Sequence, residues 1–267
     1  MGQTTMILAT LALLAAAPAG GDDPPRPLAD FKIQVASFRL GPEPASTEEI
    51  IVRGGRAYVF PSDSREVVIV DPSEKCIELL DVARRVQCEV SDGLLDAALA
   101  KIRTNLREAA EKLEVASGRA NLLEAKMARD LFETKLGVAE GPGPGRLRLT
   151  TPAVEVEARG EPEADVPRLA MVAATLNGIA RLGAFRSPDD LPPFVELESI
   201  AALTGERRLR PTELTYLYRL AGPPRKFRRT YRLVPSLTDR EVEAIARVDR
   251  LRESAPVLRY ARYKLAK

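Results

Sequence analysis

Between Glu48 and Val90 the chain strings short apolar runs so closely together that nothing fits between them. "EEIIVRGGRAYVF" sets Ile50 to Val52 and Ala57 to Phe60 around Gly54-Gly55. Two glycines accept the positive φ angles of a two-residue hairpin turn. "PSDS" then turns the chain into "REVVIV", "DPS" into "KCIELL" and "DVAR" into "RVQCEV". A parallel crossover needs a dozen or more residues, so neighbours this close pair antiparallel. With the alternating "FKIQVASF" in front (Phe31, Ile33, Val35, Phe38), the segment reads as an antiparallel meander of up to six strands.

After Val90 the apolar period becomes helical. Leu94, Leu95, Ala98, Ile102, Leu106 and Leu113 share one stripe, and Ser91 or Asp92 supplies an N-cap. "NLLEAKMARDLFETKL" continues as a second helix after a break at Ser117-Gly118. "GVAEGPGPGR", residues 137–146, reads as a Gly/Pro linker. Two short alternating runs follow, "RLRLT" and "AVEVEA", turned at Thr151-Pro152. An Ala- and Leu-rich helix spans Val166 to Leu182, and "SPDDLPPFVELESIAAL" holds a proline-rich loop and a short helix. "TELTYLYRL" and "KFRRTYRLV" form a hairpin around "AGPPR". Thr238 with Glu241 makes a capping box ahead of Val242, Ile245, Val248 and Leu251. Strands return after helices, which predicts an α+β fold: one antiparallel sheet with helices packed on one face. A sheet of this size twists and curls toward a curved half-barrel. Residues 30–267 form a single domain on this reading.

The N-terminus reads as an export signal. An apolar run from Met6 to Ala17 precedes Ala17-Pro18-Ala19, a small-x-small site that places cleavage after Ala19. The run falls short of the ~20 residues that span a bilayer. No Lys or Arg precedes it, which is atypical of a signal peptide. Residues 20–29, with "GDDPPRP", suit a flexible mature N-terminus. We therefore expect residues 1–19 to be a signal peptide, the mature chain to lack a transmembrane segment, and the protein to work in the periplasm or outside the cell.

What the chain lacks narrows its chemistry. It has no histidine and no tryptophan. That removes Ser-His-Asp and Cys-His catalysis and histidine-ligated zinc, and leaves little basis for a base-stacking platform. Asp71, Glu78 and Asp81 are the carboxylates from which a glycosidase pair would be drawn, but Asp71 and Asp81 fall at turns, where Asp is locally favoured. Glu155 and Glu157 share one strand face, at a spacing that matches no calcium loop. We expect no enzyme activity, no cofactor, no metal and no nucleic-acid partner.

The charge is uneven. From Glu206 onward 17 Lys and Arg stand against 7 Asp and Glu, an excess of ten in a chain whose net charge is +2. In "PPRKFRRTYRL", Arg225, Lys226, Arg228, Arg229 and Arg232 crowd one strand. Two readings fit: a surface for an anionic envelope partner, or an edge strand that charge protects from aggregation.

The stretch "GGRAYVFPSDSREVVIVDPSEKCIELLDVARRVQCEVS", with "LPPFVEL" and "YRLVPSLTDREVEAIARVDRL", resembles uncharacterised exported bacterial proteins of planctomycete type. Those are similar in layout to the lipoprotein-carrier group, the LolA/LolB-like half-barrels. The resemblance covers Phe31 to Tyr263 and is one of layout. It implies a curved antiparallel sheet wrapped around helices, with a cavity between them for lipid or lipoprotein acyl chains. Ile51, Val59, Val67, Ile69, Ile77, Leu79 and Val86 line that cavity if it is open. The same residues make an ordinary core if the helices fill it. The favoured reading is a non-enzymatic binding or carrier module; the alternative is a structural module that meets an anionic partner.

The two cysteines test strand register. Pairing "KCIELL" with "RVQCEV" around a turn at Asp81 to Arg84 sets Leu79 opposite Val86 and Ile77 opposite Cys88. Cys76 then lies on the other face of the sheet, which disfavours a disulfide although export and an even count favour one.

Overall fold

A computed structural model describes residues 28–39, 42–62, 64–116, 118–132, 138–140, 145–151, 153–187, 192–205, 207–219 and 224–265. The expected signal peptide, residues 1–19, most of the N-terminal tail, and residues 137 and 141–144 of the Gly/Pro stretch lie outside them.

The strands are β1 (Phe31–Phe38), β2 (Ser46–Arg53), β3 (Arg56–Pro61), β4 (Glu66–Asp71), β5 (Cys76–Asp81) and β6 (Val86–Ser91). Helices α1 (Asp92–Val115) and α2 (Arg119–Phe132) follow. Next come β7 (Val138–Glu140), β8 (Arg146–Thr150), β9 (Val154–Pro162), α3 (Val166–Arg186) and α4 (Phe194–Thr204). Strands β10 (Leu209–Tyr218) and β11 (Arg225–Val234) precede α5 (Asp239–Ser254) and α6 (Tyr260–Leu265). All eleven strands join one open sheet in the order β6-β5-β4-β3-β2-β1-β11-β10-β9-β8-β7, and every strand pair is antiparallel. The meander β1–β6 thus runs outward one way from the centre, and β11 back to β7 runs outward the other way. The α+β class and the antiparallel sheet expected from the hairpin pattern are what the chain forms.

Local chemistry explains the joints. Gly54 and Gly55 have φ of 58° and 79°, the conformation a two-residue hairpin requires. Ser91 caps α1 by accepting the Leu94 N–H, Asp165 caps α3 by accepting the Arg168 N–H, and Thr238 and Glu241 form the capping box of α5. α3 lies directly on β4 and β5: a Cβ added at Gly178 would sit 3.3 Å from Val70 and 3.4 Å from Ile77. Edge strand β6 is covered by the chain's own C-terminal segment. Gln87 N–H donates to the Pro256 carbonyl at 3.1 Å, and Leu258 N–H donates to the Gln87 carbonyl at 2.7 Å.

Three expectations need correction. First, the helices do not share one face. The large core gathers Phe31, Ile33, Ile50, Val59, Val68, Val70, Ile77 and Leu79 with Leu95 of α1 and Val172 and Leu176 of α3. A second core on the opposite face joins Ile51, Tyr58, Val67, Ile69 and Leu80 to Ile245 and Val248 of α5. Runs such as "VVIV" are apolar at every position because both faces of the sheet are covered there. Second, the stretch 137–146 is not wholly a linker. Val138–Glu140 pairs with β8, which itself begins at Arg146. Third, β11 is no edge strand; it lies between β1 and β10.

The cysteine register is shifted but keeps its parity. The β5–β6 turn is Val82 to Arg85, so Leu79 lies opposite Cys88 and Ile77 opposite Val90, two residues along from the expected pairing. The Asp81 carboxylate accepts the Arg84 N–H at 2.8 Å, and Arg85 takes a φ of 55°. A shift of two leaves each side chain on its expected face. Both cysteines are free; Cys88 is buried in the large core and Cys76 is half-buried on the other side.

Candidate functional site

Helices α1, α2 and α4 meet over the large core and leave a half-open groove of about 310 Å³. α4 builds its floor through helical spacing. Phe194, Leu197 and Glu198, at i, i+3 and i+4, face the groove. Ile200 and Leu203 face the sheet and are fully buried. α1 contributes Leu99 and Ala100, and the C-terminal end of α2 contributes Leu131 and Phe132. Asp96, Arg103, Asp130 and Glu198 line the same groove, so charged and apolar surface are mixed in it. The Arg103 guanidinium lies 4.7 Å from the centre of the Phe194 ring, and Arg107 lies 5.9 Å from that of Phe132. Such pairs hold flexible arginines over aromatic faces. Arg181 of α3 fixes one wall by bonding Asp92 at 2.9 Å and Asp96 at 2.8 Å.

Beneath α4 lies a half-buried ionic contact. Arg229 of β11 pairs with Glu196. The Glu196 charge raises the Arg229 pKa further, so the guanidinium stays protonated. Tyr216, Tyr218 and Tyr231 surround the pair, and burial holds all three phenols well above their ordinary pKa. The Tyr216 hydroxyl has no hydrogen-bond partner among the described residues. α4 is therefore tied to the sheet by opposite charges beside three tyrosines.

The residues singled out from the sequence are distributed differently. Of the seven proposed cavity residues, Val59, Ile77, Leu79 and Val86 belong to the large core, whereas Ile51, Val67 and Ile69 lie across the sheet under α5. Seven residues split between two faces cannot line one cavity. They pack against helix side chains, and all except the half-buried Val86 are buried. The five cations of β11 also divide. Lys226, Arg228 and Arg232 share the face opposite α4, while Arg229 points at Glu196 and Arg225 is exposed at the start of the strand. Arg228 rests 4.0 Å from the centre of the Phe38 ring.

The candidate carboxylates are each engaged elsewhere. Asp71 bonds Arg56 and the Ser73 hydroxyl, Asp81 bonds Arg84, and Glu78 is buried against Arg252. Glu155 is held by Arg148 and Arg219, and these hydrogen bonds lower its pKa. Among the described residues no three His, Cys, Asp or Glu side chains gather as metal ligands. Sequence reading missed the groove because its lining comes from three helices far apart in the chain. The only local signal was Leu99, adjoining the apolar stripe of α1.

No family model matches the chain, and no curated protein matches it. Among the described residues no helix is long and apolar enough to cross a membrane.

Proposed function

We propose that this protein is an exported, non-enzymatic binding module of the cell envelope that takes an apolar chain, such as the acyl chain of a lipid or lipoprotein, into the α1–α2–α4 groove. The observation that carries this reading is the groove itself, where Leu99, Ala100, Leu131, Phe132, Phe194 and Leu197 lie among the charged side chains of Asp96, Arg103, Asp130 and Glu198. That combination suits an amphiphile, with the chain against the floor and the polar end at Asp96, Arg103 or Glu198. The open antiparallel sheet with helices along one core is in keeping with the layout of the lipoprotein carriers. The ligand position differs from the one first expected, because the space between sheet and helices is filled by buried side chains.

The test is titration of delipidated protein with a fluorescent fatty acid. Saturable binding is expected, weakened at least about tenfold when Leu99→Glu replaces an apolar contact in the groove with a carboxylate. Ala100→Trp should weaken it by occupying the space. Failure of the unmutated protein to bind, or binding that both variants leave intact, would exclude the groove. A second reading, a structural module that meets an anionic partner, draws support from the exposed cations Lys226 and Arg232.

A further inference from the structure

The last stretch of the chain makes a second candidate surface, separate from the groove. Pro256 to Leu258 lies along edge strand β6, and α6 then returns toward the β5–β6 turn. Arg84 in that turn donates to the Tyr263 carbonyl at 3.3 Å and lies 5.2 Å from the centre of the Tyr263 ring, so turn and helix sit side by side. A hollow of about 380 Å³ opens here, lined by Val257, Leu258, Arg259 and Arg262.

Two properties coincide at this place. Arg85, Arg259, Arg262 and Lys264 are all exposed, and none has an ion-pair partner among the described residues. Asp81, the carboxylate of the same turn, is already taken by Arg84. On the same turn and segment stand two exposed large apolar side chains, Val82 at 43% and Val257 at 59%. Several cations of the sheet are used otherwise: Arg148 and Arg219 hold Glu155, and Arg228 covers Phe38. Unpaired positive charge together with outward-facing valines is the chemistry of an interface between water and an anionic lipid layer, where headgroups meet cations and apolar side chains reach the acyl boundary.

We infer that the β5–β6 turn and α6 dock the protein on an anionic bilayer surface, with a headgroup phosphate seated among Arg259, Arg262 and Val257. This does not depend on the groove being a ligand site. Cosedimentation of the full chain with phosphatidylcholine vesicles, with and without phosphatidylglycerol, tests it. Binding is expected only with the anionic lipid, and it should fall as salt shortens the Debye length. Each removed cation should weaken partitioning about fivefold, so Arg259→Ala with Arg262→Ala should lose about 25-fold. Lys226→Ala with Arg232→Ala should change nothing. Both pairs are exposed, and unchanged thermal melting checks that the fold survives. Absence of vesicle binding, or binding indifferent to the α6 pair, overturns the inference. Val257→Asp separates a bilayer from an anionic polymer. It should weaken vesicle binding while leaving retention on dextran sulfate beads unchanged. Unaffected vesicle binding would show that charge alone acts, and would overturn the assignment to a lipid surface.

Discussion

Strand β5 buries Leu79 in the core on the α3 side and Leu80 in the core under α5, both fully. Strand β10 buries Leu214 beneath the helices but leaves Leu217 half-exposed on its other face. The meander β2–β5 is covered on both sides, whereas the β8–β11 half is covered on one. Polar groups follow the same division. On the two-sided half they are buried and individually matched, as with Glu78 to Arg252 and Tyr58 to Asp249. On the open face they form exposed cross-strand pairs such as Arg159 with Glu213. The same kind of hairpin thus tolerates charge loosely in one place and demands a partner in the other.

Breaking the matched pairs should show this most strongly. Arg252→Ala leaves Glu78 buried without its cation and should cost about 3–5 kcal/mol in urea unfolding. The double replacement Glu78→Gln with Arg252→Met should recover much of that loss. Arg159→Ala on the open face should cost less than about 1 kcal/mol. If the two single variants lose equal stability, the contrast between the halves is wrong.

Truncation of leucines sharpens the comparison. Leu79→Ala and Leu80→Ala should each cost about 2–5 kcal/mol, because each empties a fully buried site. Leu214→Ala should match them, and Leu217→Ala should fall below about 1 kcal/mol. Leu80 decides whether α5 truly seals its face.

Titration touches both halves. In Asp71, burial raises the carboxyl pKa, but the hydrogen bonds from Arg56 and Ser73 outweigh it and leave it lowered. Glu241 is lowered by Lys32 and Glu155 by Arg148. The stability these groups supply is present above their unfolded values of about 4 and is lost as pH falls through the depressed folded values. Burial pushes Tyr58 up to about 12 and raises Tyr216, Tyr218 and Tyr231 as well. Their contribution is complete below about pH 10 and declines above it. Unfolding midpoints against pH should therefore show a plateau with a fall at each end, the alkaline one tracking tyrosinate absorbance. The cap of α5 is a local check outside this contrast: Thr238→Ala should cost about 1 kcal/mol.

The one-sided half was the easier to read from sequence. "VEVEA" and "TELTYLY" alternate, so their parity declares which side is buried. "VVIV" and "CIELL" carry apolar residues at successive positions, and nothing local says which face each serves. That is why Ile51, Val67 and Ile69 were grouped with Val59 and Leu79. The turns "DPSEK" and "DVARR" were legible as turns but read one residue short. Each ends in a basic residue with positive φ, Lys75 at 51° and Arg85 at 55°, a conformation that non-glycine side chains seldom announce. The place of β11 was hidden for another reason. Its partner β1 comes from the far end of the chain, and "KFRRTYRLV" has the charge expected of an edge. The groove left almost no trace, because a lining shared among three helices depends on how they pack.

The pairing of β1 with β11, from Lys32 opposite Val234 to Phe38 opposite Arg228, joins residues roughly two hundred positions apart at the middle of the sheet. Emerging from synthesis, the first strand must wait for nearly the whole chain before its second neighbour exists. Each wing can assemble by local hairpins, but the seam between them closes only at the end. A chain cut short before β11 would consequently lose the join between two partly built sheets rather than a peripheral strand.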